Sequence, residues 1–198
     1  IEDPFIPLVN NGYFAPPAKP AGACPAASFN DNKNHTISPG CYSSISNTGT
    51  GKLTMNSGDY WITTGGIVNS GTGSITINDG STIYVDKGDF TLTGTGNITA
   101  REVLFYMGKN AGTFSLTGTG SVSVTPKTTG PYKGLTLFVD PANNKQVALT
   151  GTGNVTSING TFYAPSSALV LKGTGGTSVL RAQVICSTAE LTGTGNLT

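Results

Sequence analysis

The stretch Leu92-Thr93-Gly94-Thr95-Gly96-Asn97-Ile98-Thr99 recurs along the chain almost residue for residue, and that recurrence limits what the chain can fold into. Close copies begin at Leu116, Leu149 and Leu191, and weaker ones at Thr48, Ser70 and Leu171. The first glycines fall at 49, 71, 94, 118, 151, 173 and 193, giving steps of 22, 23, 24, 33, 22 and 20 residues. A near-constant step of this size marks a repeat architecture whose single unit cannot bury its own apolar face.

Within one copy the residues alternate. Leu92, Gly94, Gly96 and Ile98 share one parity, and Thr93, Thr95, Asn97 and Thr99 the other, so an extended chain sends them to opposite faces. With Leu and Ile inward, the unit reads as strand, glycine corner, strand, the glycines allowing a bend or a close approach of backbone. Stacking units about 4.8 Å apart aligns the Thr and Asn residues into outward ladders. About a dozen residues after each glycine pair comes a second apolar run, such as Val103-Leu104-Phe105-Tyr106-Met107, rich in β-branched and aromatic residues. No segment sustains a helical period. The expected fold is all-β, a right-handed parallel β-helix of two or three short strands per coil and about 20–24 residues per coil. An antiparallel sandwich is the rival, and the constant step favours the solenoid.

Residues 1–38 stand outside the repeat as an arm or cap with a proline-rich linker, and residues 39–198 form the solenoid. The arm admits three readings: a self-packed cap, a disordered leader, or a segment donated to a neighbouring molecule. The 33-residue step holds an insertion at residues 126–134, expected to protrude together with residues 140–145. It is a carrier of specific function or a tolerated loop. The last repeat shows no polar capping segment up to Thr198, which assigns Leu191 and Leu197 to an end covered by further chain or by another copy. The apolar arm residues Ile1, Phe5, Ile6, Leu8 and Val9 join them as assembly candidates.

Composition narrows the function. Only 11% of residues are charged, 28 of the 198 are glycine, and the net charge is +1. This balance suits an extracellular structural surface and gives no electrostatic reason to bind nucleic acid. No hydrophobic run approaches the length of a membrane span. Cys24 and Cys41 are the expected disulfide, with Cys186 a buried thiol; three reduced cysteines are the alternative.

Catalytic chemistry finds little support. His35, the one histidine, sits in an Asn-Lys-Asn-His-Thr run that reads as a solvated turn. No metal-ligand spacing is present, and no cofactor is implied. Asp86 and Asp140 follow comparable strands, but Gly108 holds the place between them, separating the carboxylates by roughly 10 Å. One aromatic per coil, Tyr60, Tyr84, Tyr106, Phe138 and Tyr163, forms a line read as core packing, or as a platform for sugars if it faces out. Asn34, Asn97, Asn154, Asn159 and Asn196 each open an Asn-X-Ser/Thr triplet and are candidate glycosylation sites.

From about Ser38 the chain resembles the C-terminal region of TadG-like proteins, associated with the assembly of Tad (Flp-type) pili. The likeness rests on Pro39-Gly40-Cys41-Tyr42, Ser57-Gly58-Asp59-Tyr60-Trp61-Ile62, Val103 to Met107, Gly130-Pro131-Tyr132-Lys133-Gly134 continuing to Asp140, and Asn159-Gly160-Thr161-Phe162-Tyr163-Ala164-Pro165. It implies a bacterial envelope or secreted surface protein and carries over no catalytic residue. The combined expectation is a non-enzymatic surface solenoid that polymerises head to tail with copies of itself. Its alternative is an adhesive solenoid that binds surface glycans.

Overall fold

The computed structural model describes residues 3–16, 18–151, 155–173 and 177–193. Every strand pairing among them is parallel, and the only helix is the five-residue Ile6–Asn10. The strands stack in three columns, so each coil has three faces. The first face runs through Ala26–Phe29, Ser44–Asn47, Ile67–Asn69 and on to Val147–Gly151. The second, after the glycine corner, runs through His35–Ile37, Leu53–Met55, Ile75–Ile77, Ile98–Ala100 and Val122–Val124. The third closes the coil through Gly40–Tyr42, Asp59–Ile62 and Leu135–Val139. The long strands Thr82–Leu92, Leu104–Gly118, Val155–Gly173 and Thr177–Gly193 pass from one face to the next, their pairing slipping register where they turn, between Met107 and Phe114 and between Ala164 and Ala168. The result is a three-sided β-solenoid of about seven turns.

Alternation sets which side chains fill it. Ile45, Ile67, Phe90, Phe114 and Val147 stack in register on the first face and are essentially buried. Leu53, Ile75, Ile98 and Val122 do the same on the second. Between them the corner residues Thr93, Thr95 and Asn97 are exposed while Leu92, Gly96 and Ile98 are buried, as the sequence parity requires. Isolated coils of three short strands would not be stable; each buries its apolar face only against its neighbours.

The corner glycines answer to stacking. A Cβ on Gly71, Gly94 or Gly118 would collide with the carbonyl oxygen of Gly49, Gly71 or Gly94 in the preceding coil. Gly73, Gly96 and Gly120 meet the same obstacle one corner position later. Glycine therefore lets successive corners descend at strand spacing. The first coil shows the converse. It begins at Ala26–Phe29, ahead of the boundary placed after residue 38, and turns its corner with Asp31 and Lys33. Among the described residues no coil lies beneath these two, so a side chain is tolerated there, and the repeat signature is absent from a real coil.

Two polar devices sit inside the stack. Asn47 and Asn69 occupy inward positions that Leu92 and Leu116 fill in later coils. Each is buried, and Asn47 Nδ2 donates to Asn69 Oδ1 at 3.0 Å and to the Gly51 carbonyl at 3.2 Å. Residues 140–145, expected to protrude, instead send Asn143 inward. Its side-chain amide donates to the carbonyls of Gly108 and Ala111, where the pairing of neighbouring strands slips register.

Candidate aromatic wall and its strap

On the third face the outward side chains are aromatic. Trp61, Tyr84, Tyr106, Phe138 and Tyr163 lie in register, one per coil. Successive ring centroids are 4.6, 5.6, 4.9 and 5.2 Å apart. Tyr60, assigned to this line from sequence, belongs to the opposite parity. It is fully buried in the solenoid interior, its hydroxyl donating to the carbonyls of Ile37 and Asn56. Adjacent aromatics in Asp59-Tyr60-Trp61-Ile62 made the parity ambiguous, and register with Ile83 and Tyr84 resolves it.

The column faces out of the coil, yet it is not open to solvent. Tyr84 and Tyr106 are 5% exposed and Tyr163 is fully buried. Two elements cover them. Phe14 of the N-terminal arm lies 5.7 Å from Tyr132 and 5.2 Å from Phe138, and Phe5 lies 5.3 Å from Tyr163. Tyr132, from the insertion at 126–134, is buried over Tyr106 and donates its hydroxyl to the Phe14 carbonyl at 3.1 Å. The insertion thus folds back and holds the arm down. Arm, insertion and column form a second hydrophobic core, separate from the solenoid interior.

The arm runs along the solenoid axis. Phe5 reaches the coil of Tyr163, Phe14 the coil of Phe138, and Cys24 bonds Cys41, whose strand pairs with that of Trp61. It is a longitudinal strap that ties distant coils to each other, contacts that a stack of nearest neighbours cannot make. The expected disulfide is formed, at a Cα separation of 4.8 Å, and anchors the strap at the first coil. Cys186 is a half-buried free thiol whose pKa burial raises.

Burial raises the pKa values of Tyr84, Tyr106 and Tyr163 well above the usual phenol range, and that of Tyr132 to about 12. For Tyr163 the Asp3 carboxylate, which accepts its hydroxyl at 2.9 Å, adds to the effect.

The remaining sequence candidates are placed as follows. Ile6 and Leu8 are exposed on the outer side of the strap, whereas Phe5 and Val9 pack inward. Leu191 is exposed; Ile1 and Leu197 lie outside the described residues. Asn34 and Asn97 are exposed, and each side-chain oxygen accepts a backbone N–H from the next coil, of Lys52 and Ser121 respectively, at 3.0 Å. Asn159 is half-buried, and Asn154 and Asn196 fall outside the described residues. His35 is not in a solvated turn. It opens a strand of the first coil, stacks on Phe29 at 4.3 Å and contacts Asp31 at 2.7 Å, lowering that carboxyl's pKa. Asp86 is exposed, and Gly108 lies on the coil between it and Asp140. Among the described residues no three His, Cys, Asp or Glu side chains group as a metal site, and no helix is long and apolar enough to cross a membrane.

Together these features define the class: a three-sided parallel β-solenoid clasped lengthwise by an N-terminal strap over an outward aromatic column. The profile of a family described as a domain of unknown function, DUF7305, matches residues 21–197, and the chain belongs to that family. No curated protein and no solved structure matches it. The matched span begins after the strap's aromatic residues, so Phe5 and Phe14 lie outside it while Tyr132 and the column lie within it.

Proposed function

We propose that this chain is a non-enzymatic structural subunit of the bacterial cell surface that self-assembles into an extracellular filament or pilus-like fibre. One observation carries the reading: the side-chain polar groups that repeat along the chain bond coil to coil. Asn34 to Lys52, Ser74 to Asn97, Asn97 to Ser121 and Asp89 to Thr113 are all contacts between neighbouring coils. Such an arrangement supports a rod. A hydrolase of this shape needs two carboxylates facing one cleft, and Asp86 and Asp140 are two coils apart. The resemblance of its motifs to those of TadG-like proteins and the low charge support a surface location.

Among the described strands, those of the first coil pair on one side only. Those edges offer a site where strands of a second copy would continue the sheet away from the Asp31 and Lys33 corner, whose side chains bar a coil stacked directly beneath it, alongside contacts made through the strap. A carbohydrate-binding role rests on the aromatic column, which would have to lose its strap before a sugar ring could stack on it; the structural reading is therefore preferred.

Immunogold electron microscopy on intact cells producing the native protein tests the proposal. Gold along extracellular fibres is the expected result. Gold confined to the cell interior, or release of sugar products by the purified protein from bacterial polysaccharides, contradicts it.

A further inference from the structure

Three of the four large hydrophobic side chains exposed among the described residues lie on the strap: Ile6 at 41%, Leu8 at 39% and Tyr13 at 52%. The same segment buries Phe5, Val9 and Phe14 against the column, so it is apolar on both sides. Its fastening is light. Among the described residues the strap's backbone-to-backbone hydrogen bonds are all local, and its polar ties to the wall are the hydroxyls of Tyr163 and Tyr132. Residues 15–23 join it to the disulfide-anchored first coil, and their sequence, with Pro16, Pro17 and Pro20, is that of a semi-rigid linker. Extended, these nine residues reach about 30 Å, against about 19 Å for the four coil steps from Cys41 to Phe138. The linker therefore has slack to reorient.

We propose that the strap is exchanged between two copies of this chain, each copy seating its Phe5, Val9 and Phe14 on the aromatic column of the other, wall facing wall. This rests on the self-assembly reading above and names the contact. The groove already accepts this peptide, and a second copy presents the same peptide, so exchange reproduces every strap contact and alters only the linker. Face-to-face pairing also places Ile6, Leu8 and Tyr13, which a single copy leaves in water, between two solenoids. Burial of that surface is the driving force that folding back within one chain lacks.

The test uses the full chain with Phe5 replaced by the photoreactive residue p-benzoylphenylalanine, prepared in light and heavy nitrogen isotopes and mixed. Sedimentation is expected to show a species of twice the monomer mass. After illumination, strap peptides in that species join Tyr163-containing peptides of the other isotope. The triple variant Ile6→Ser, Leu8→Ser, Tyr13→Ser should weaken association about tenfold at unchanged melting temperature. Assembled species whose cross-links all join peptides of one isotope overturn strap exchange and leave self-assembly standing. A chain that is monomeric at every concentration overturns both.

Discussion

Tyr163 donates its hydroxyl to the carboxylate of Asp3 at 2.9 Å, joining positions 160 residues apart. The strand pairings among the described coils join each coil only to its neighbours, so none spans such a distance in sequence. The bond marks where a non-repeating strap closes over a repeating wall, and it makes the strap's attachment measurable apart from the solenoid's own stability.

Removing the anchor should loosen the strap without unfolding the rod. Phe14→Ala deletes a buried ring that touches Tyr132 and Phe138, at a cost of about 3 kcal/mol. The expected outcome is a lower denaturation midpoint and a weakened near-ultraviolet circular dichroism from the aromatic wall, with the far-ultraviolet β-sheet signal retained. Equal loss of both signals would mean that strap and rod unfold as one.

Corner glycines should be intolerant for a reason distinct from that of turn glycines. Gly94→Ala drives a methyl into the Gly71 carbonyl oxygen and is expected to cost about 3 kcal/mol or more. Gly80→Ala meets open space, with only its φ of +79° to strain, and should cost about 1 kcal/mol. Urea titration of both variants checks the order.

The buried asparagine pair predicts non-additivity. Asn69→Leu leaves the Asn47 amide short of its partner at Asn69 Oδ1 and should cost about 2 kcal/mol. Adding Asn47→Leu supplies the residue type that later coils place at this position, and should recover part of the loss. A double-mutant cycle reads the coupling.

Alkaline pH should release the strap. The Tyr132 phenol, near 10 in the unfolded chain, is pushed up to about 12 when folded, chiefly by burial. A raised folded value means the unfolded chain loses its proton first. The stabilisation is therefore complete below about pH 10 and falls away as pH rises towards 12. Phenolate absorbance followed with protease sensitivity of the strap should show ionisation and release together in that window, while Tyr132→Phe removes Tyr132's share of the dependence.

The solenoid was legible because its constraint is periodic. Leu92, Gly94, Gly96 and Ile98 share a parity and recur at a fixed step, and the structure turns that pattern into a wall. What was not legible depended on contacts that repetition does not encode. The first coil escaped because Asp31 and Lys33 need no glycine where no described coil lies beneath them. Trp61 was passed over for Tyr60 because neighbouring aromatics satisfy either parity until register is known. The strap's seat was hidden for a different reason: Phe5 and Phe14 meet Tyr163 and Phe138 across most of the chain, and no local pattern links them. The insertion at 126–134 was visible as an insertion, but only packing shows Tyr132 folded inward over the wall.

Negative-stain electron microscopy of the purified full chain, with sedimentation across a wide concentration range, tests the central claim of a self-assembling structural subunit most directly. Fibres or ordered oligomers that grow with concentration, and that the triple Ile6, Leu8, Tyr13 serine variant weakens, are the predicted result. Discrete monomers at every concentration, with the strap closed on its own wall, would contradict it.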